Sequence, residues 1–263
     1  MKSKILTAEI INIGDELLKG KTVNTNAAYI ADLLDKEGFI TNRIVVIHDK
    51  TNDIVKELRD SLSRKPALIV TTGGLGPTHD DLTKRAVAKA LGLRLVRSRE
   101  LSEHIMLRHS GFHKFILDSK ADYIIEGARV LYNEVGVAPA MLIEYKGVTI
   151  LMLPGVREEC KHLFDKFIRD YNKNTDYKSC SISLCIKDPD GYGEYLIKDI
   201  MKELYNKHKL YIKSKPKHEA GMRFIQLDIS KISNNEQDTY KELESIRDRI
   251  IKEWKQMLIK IKG

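Results

Sequence analysis

Apolar positions in the first two-thirds of the chain switch repeatedly between the period of a strand and that of a helix. Residues 5–13 form a mostly apolar run broken at Gly14 and read as a strand. Asn24 or Thr25 then caps a helix whose Ile30, Leu33 and Leu34 share one face, with Gly38 past its end. A strand over 41–47 and a helix through Ile54, Val55, Leu58 and Leu62, stopped before Pro66, repeat the unit. Residues 67–72 are short and largely apolar, as expected of a strand covered on both faces. They run through a glycine-rich segment into a helix carrying Ala86, Val87, Ala90 and Leu91, which ends at Gly92. The β-α-β-α-β-α rhythm predicts an α/β fold of three layers, with a mostly parallel sheet between helices. Residues 129–145 and 147–153 read as two more strands, a hairpin at the sheet edge turning at Lys146-Gly147. A helix with Cys160, Leu163, Phe164 and Phe167 follows.

The pattern changes at the polar stretch 172–175, which suits a linker. Beyond it the periods predict a strand at 179–187, a helix at 191–206, strands at 208–214 and 222–232, and a helix at 236–260. The chain therefore divides into a larger domain, 1–171, and a small α+β domain, 172–263.

Composition narrows the class. A chain of 263 residues with 42% hydrophobic and 31% charged positions can bury a full core and is neither disordered, fibrous nor a membrane protein. Cys160, Cys180 and Cys185 are too few, and odd in number, for a disulfide framework. All three read as small buried apolar side chains in a reducing compartment, with Cys180 and Cys185 on opposite faces of one strand. No leader pattern opens the chain, and no apolar stretch approaches the ~20 residues that span a bilayer. A cytoplasmic protein with no membrane partner is expected. The net charge of +8 leaves an acidic partner open. However, 172–263 hold 19 Lys and Arg against 14 Asp and Glu, and the rest of the chain 26 against 23. Most of the excess thus lies outside the region where the chemistry gathers.

That chemistry centres on the segment TTGGLGPTHDDLT, residues 71–83. Gly73, Gly74 and Gly76 follow a buried strand, with Leu75 and Thr78 between and after them. Glycines there let backbone approach a ligand, and the N-terminus of the next helix offers unpaired N–H groups to a phosphate. Asp80 and Asp81 would repel that phosphate unless a hard divalent cation, Mg²⁺ or another, screens them. Asp15 and Glu16 end the first strand, Asn24 and Asn26 open the next helix, and His48-Asp49 ends the second strand. In an open α/β sheet these strand ends share one face with the loop. His104, His109 and His113 read as surface or helix-end histidines, and Trp254 as packing.

The strings IGDELLKGKTVNTNAAYIADLL, TTGGLGPTHDDLT, NEVGVAPA and LPGVREE resemble the competence/damage-inducible CinA family. By that resemblance the first domain has the molybdopterin-binding fold of MogA, MoaB and MoeA. The second, with GYGEYLI and LYIKSKPK, resembles the KH-like domain of CinA. The resemblance implies a metal-dependent ADP-ribose pyrophosphatase acting in pyridine-nucleotide turnover. The alternative it implies is a molybdopterin-binding or adenylylating protein of molybdenum-cofactor biosynthesis. In either case the ligand is a phosphate-bearing nucleotide or pterin. By position Asp81 and Asp49 match the family's acidic residues, Gly73, Gly74 and Gly76 its cradling glycines, and Pro154-Gly155 its late loop. Under the hydrolase reading Asp81, Asp80 and Asp49 are catalytic, and the cation is held by Asp15, Glu16, Asp80 and Asp81. Gly73, Gly74, Leu75, Gly76, Thr78, Thr83, Asn24, Asn26, Pro154 and Gly155 hold the ligand. Ala140 stands where the family has glycine, so that wall of the pocket is expected to differ, and Arg157 is an added cation. The sequence ends at Gly263, without the nicotinamide-mononucleotide deamidase domain of many bacterial members, and no deamidase activity is expected. A homo-oligomer, a dimer before a trimer, is implied. A nucleic-acid partner is disfavoured, because Gly191-Tyr192-Gly193-Glu194 lacks the G-x-x-G clamp of a true KH domain.

Overall fold

A computed structural model describes residues 5–76, 78, 81–108, 121–171, 176–188 and 190–262. Its contacts separate two compact units: Met1–Asp35 with Phe39–Thr175, and Lys36–Gly38 with Asp176–Gly263. The expected linker at 172–175 lies outside the described residues. Among the described residues no helix is long and apolar enough to cross a membrane.

The first unit is built on strands β1 (Thr7–Ile13), β2 (Ile40–Ile47), β3 (Leu68–Thr72), β6 (Arg129–Leu131), β7 (Ala140–Tyr145) and β8 (Val148–Leu153), ordered β2-β1-β3-β8-β7-β6. The first four in that order run parallel, and β7 and β6 are antiparallel. Alternate residues of the central strands feed two cores. Ile10, Val70 and Leu151 pack on α2 (Thr25–Lys36) and α6 (Arg157–Tyr171), whereas Ile11, Ile69 and Ile150 pack on α3 (Thr51–Arg64) and α4 (Thr83–Leu91). This is the three-layer arrangement expected from the sequence. Strands β2 and β3 flank β1 on opposite sides, so the chain reverses direction across the sheet at β1. The carboxyl ends of β1, β3 and β8 surround that point, where ligands bind in open α/β sheets.

The expected edge hairpin needs correction. Residues 129–145 are not one strand, since 132–139 leave the sheet between β6 and β7. Asn133 is the cause: its side-chain oxygen accepts the N–H groups of Val135 and Gly136, both at 3.0 Å, and its amide donates to Ala138 O at 2.9 Å. A side chain that satisfies backbone groups in this way competes with the strand ladder. The outermost strand on that side of the sheet is β6, and β8 is fully buried beside β3. Also unread in the sequence are α1 (Asp15–Leu18), the pair β4 (Leu95–Arg97) and β5 (Tyr123–Ile125), and the bounds of α5 (Arg99–Arg108). His104 lies on α5 against the Tyr132 ring, with centroids 4.6 Å apart, while His109 and His113 lie outside the described residues.

The second unit consists of β9 (Lys178–Lys187), α7 (Gly193–His208), β10 (Tyr211–Glu219), β11 (Met222–Ser233) and α8 (Glu236–Lys262). Its antiparallel sheet, ordered β10-β11-β9, packs one face on both helices through Leu184, Ile225 and Leu227 against Ile197, Leu204, Leu243 and Trp254. The expected strand at 208–214 starts later and runs through Pro216. An edge strand with a single partner tolerates the missing N–H.

Cysteine burial splits the expected trio. Cys160 and Cys180 are buried and Cys185 is exposed, on the opposite face of β9 from Cys180. Burial pushes the Cys160 thiol up to about 12 and raises that of Cys180 as well. In the folded protein one thiol is therefore expected to react rapidly with an aromatic disulfide reagent and two only after denaturation. A Cys185→Ser variant should lose the fast phase.

Candidate ligand-binding site

Between the carboxyl ends of β1, β3 and β8 lies a cavity of about 580 Å³, within the range of small-molecule sites. One wall is the loop after β3. Gly73 sits at φ +97°, and a Cβ built on it would meet Ile13 O at 2.2 Å, so only glycine lets the loop pass the end of β1. Gly74 follows at φ +64°. The loop carbonyls are tied down: Thr83 Oγ1 donates to Gly73 O at 2.8 Å and Thr83 N–H to Gly74 O at 3.0 Å. By contrast, the N–H groups of Gly74, Leu75 and Gly76 bond to no other described residue, and all three residues line the cavity. Successive unpaired N–H groups beside the N-terminus of α4 form an anion-binding concavity.

Asp81 closes this loop. Its Oδ2 accepts the Thr78 N–H at 2.8 Å and the Thr78 hydroxyl at 2.5 Å, which spends part of its charge on the turn. Asp49 faces the same cavity and accepts the Asp15 N–H at 2.7 Å. Glu16 lines both this cavity and a smaller one of about 150 Å³, which also takes in Asn24, Asn26 and Arg157. Asn24 accepts the Ala27 N–H at 3.1 Å as the cap of α2, and Asn26 donates to Gly155 O at 2.8 Å, holding the Pro154-Gly155 loop.

Three residues expected at the site stand elsewhere. Asp15 turns from the cavity to His48 at 2.8 Å and Lys19 at 3.0 Å, whose hydrogen bonds hold its carboxyl at about 2. Thr83 is buried behind the loop and serves its backbone. Ala140, expected to alter a pocket wall, is fully buried in the core beneath α6. Asp80 lies outside the described residues. Among the described residues no group of three or more His, Cys, Asp and Glu side chains is placed to hold a metal ion. Of the acids expected to hold a cation, Asp15 and Asp81 are engaged by local partners, and Glu16 lines the cavity.

The opposite wall holds a carboxylate that the sequence did not single out. Glu159, on the first turn of α6, lines the cavity with Gly136, Val137 and Ala138. The Asn133 amide donates to its carboxylate at 2.6 Å, and a Cβ on Gly136 would strike that carboxylate at 2.2–2.5 Å. Burial raises the Glu159 pKa, and the Asn133 bond lowers it only in part. The available signal was its place four residues before the buried Leu163, on the inner face of α6. Asn12, buried in β1, was likewise unexpected. It donates to Val45 O at 2.9 Å and accepts from Thr72 Oγ1 at 3.0 Å, bracing the strand that launches the loop.

A carboxyl whose pKa rises on folding favours the fold when protonated and costs stability as pH climbs through its usual range. Glu159→Gln is therefore expected to hold or raise the melting temperature at neutral pH, to narrow the gap to the parent in acid, and to weaken the ligand. Melting curves across pH check the first two.

The family model described as probable molybdopterin binding domain matches residues 9–174. A protein from Sulfurisphaera tokodaii is 35% identical over 266 residues, covering 99% of this chain and 98% of its own. One from Saccharolobus islandicus is 33% identical over 248 residues, covering 93% of each. The crystal structure of CinA from Thermoplasma acidophilum, described as of unknown function, is 33% identical with a TM-score of 0.58, covering 62% of this chain and 96% of that one.

Proposed function

The chain belongs to the CinA family and carries a molybdopterin-binding-type domain, and on that basis we propose that the pocket binds a phosphate-bearing pterin of the molybdopterin class. The observation that carries this reading is the loop whose Gly73 and Gly74 carbonyls are bound by Thr83 and whose N–H groups at Gly74, Leu75 and Gly76 have no partner among the described residues. These donors, with the helix N-terminus behind them, take the phosphate. The ring fits the apolar part of the cavity at Leu75, Val137 and Pro154, and its amino and amide N–H groups find acceptors in Glu159 and Asp49. Asp81 opposes the phosphate less than a free carboxylate would, because Thr78 already occupies it. The reaction that extends this reading is adenylyl transfer from a nucleoside triphosphate to the bound pterin's phosphate, with pyrophosphate as the leaving group.

Hydrolysis of ADP-ribose rests on the family resemblance and gains no specific support from the arrangement of the acids. The two readings separate in one experiment. Purified protein is titrated with molybdopterin in a calorimeter and, in parallel, incubated with ADP-ribose and Mg²⁺ while AMP is followed. Saturable molybdopterin binding that inorganic phosphate competes away, without AMP, is the expected result. Sustained AMP release with no molybdopterin binding would reverse it.

A further inference from the structure

The sheet of the second unit has one face on its helices and one face in solvent. On the solvent face Lys213, Lys215 and Lys217 recur at every second residue of β10, and all three are exposed. The strand pleat sets them about 7 Å apart. Across the strands Lys213 stands opposite Asp228, and Lys217 opposite Phe224, which has Lys187 on its other side. Asp228, the acid at the centre, is already engaged by Lys215 at 2.5 Å and by the Ser183 hydroxyl at 2.9 Å. Lys187, Lys213 and Lys217 outnumber Glu219, the exposed acid at the far end of β10 on the same face. Phe224 is partly exposed, with Lys217 and Lys187 as its cross-strand neighbours.

We propose that this face binds single-stranded nucleic acid, with Phe224 as the stacking platform and Lys187, Lys213 and Lys217 as phosphate contacts. A row of cations along an exposed strand matches a ligand with repeated negative charge, not a lone anion. An aromatic ring between cations matches an unpaired base whose neighbouring phosphates fall on either side. Duplex offers no unpaired base to the ring. The absent G-x-x-G loop does not weigh against this surface, which makes no use of one.

The test is fluorescence anisotropy of the full chain with labelled oligouridylate, the matching DNA strand and a DNA duplex, over a salt series. Binding of single strands above duplex is expected. Lys213→Glu/Lys217→Glu should weaken it about tenfold or more and flatten the salt dependence by about 0.7 per lost phosphate contact. Phe224→Leu keeps the apolar body, so it should weaken binding several-fold with the salt slope unchanged. Circular dichroism confirms that both variants fold. The proposal is overturned by no saturable binding at low salt, by binding indifferent to the double variant, or by duplex bound as tightly as single strands. Lysine-dependent binding to phosphatidylserine vesicles without binding to oligonucleotide overturns it as well.

Discussion

Gly73→Ala is expected to weaken ligand binding about a hundredfold in a protein that still folds. The residue lies at φ +97°, where an L side chain costs roughly 1–2 kcal/mol. The larger effect is steric, because the new Cβ would meet Ile13 O at 2.2 Å, and that oxygen belongs to a central strand fixed on both sides. The loop must move instead. It then loses the bonds from Gly73 N–H to Leu153 O and from Thr83 Oγ1 to Gly73 O, which aim the N–H groups of residues 74–76. Misplacing two hydrogen bonds to a charged group costs about 3 kcal/mol, roughly a hundredfold in affinity. Gly92→Ala is the control. Gly92 is also left-handed, at φ +72°, but a Cβ there meets nothing within 4 Å. Both variants should lose stability, and only Gly73→Ala should lose affinity for the ligand in a calorimetric titration. Equal affinity in the two would separate the loop from binding.

Arg64→Ala is expected to cost the fold about 3–5 kcal/mol, the usual penalty for stripping the partner from a buried charge. Glu9 is 3% exposed in β1 and is gripped by Arg64 through two bonds of 2.7 Å, with Ser61 adding a third of 2.7 Å. Burial by itself would raise the Glu9 pKa. The bonds from Arg64 and Ser61 and the attraction of Arg64 and Arg43 outweigh it, and the net pKa is lowered. A lowered carboxyl pKa stabilises the fold above the ordinary glutamate range, and that contribution fades as pH falls through the folded value. Without Arg64 only Ser61, Arg43 and burial act strongly, so the carboxyl pKa rises. The deficit of the variant should be largest at neutral pH and shrink in acid, as protonation removes the buried charge. Denaturant melts at several pH values measure this, and a deficit that grows in acid would contradict it. Replacing both residues by apolar ones of similar volume should recover much of the loss.

The parallel core was legible because the central strands are covered on both faces and their helices carry a single apolar stripe. Glycines directly after a buried strand likewise marked the loop, since few other features call for three of them there. What escaped was whatever depends on a side chain's choice among polar partners. Asn133 could not be seen taking two backbone N–H groups and breaking the expected strand at 132–139. Nor could the acids be sorted: Asp15 is drawn off by His48 and Lys19 a turn or a strand away, whereas Glu159 enters the cavity from a helix start where acids usually serve only the dipole. Thr83 was expected among the ligand contacts at the end of the glycine-rich segment, yet its bond goes to the loop's own carbonyl.

A crystal structure with a phosphate-bearing pterin of the molybdopterin class would put the loop to its sharpest test. The phosphate oxygens are expected about 3 Å from the N–H groups of Gly74, Leu75 and Gly76, with the ring between Leu75 and Val137 and its N–H edge toward Glu159. A phosphate held elsewhere, with those three N–H groups still unpaired, would contradict the assignment of the loop as the phosphate site.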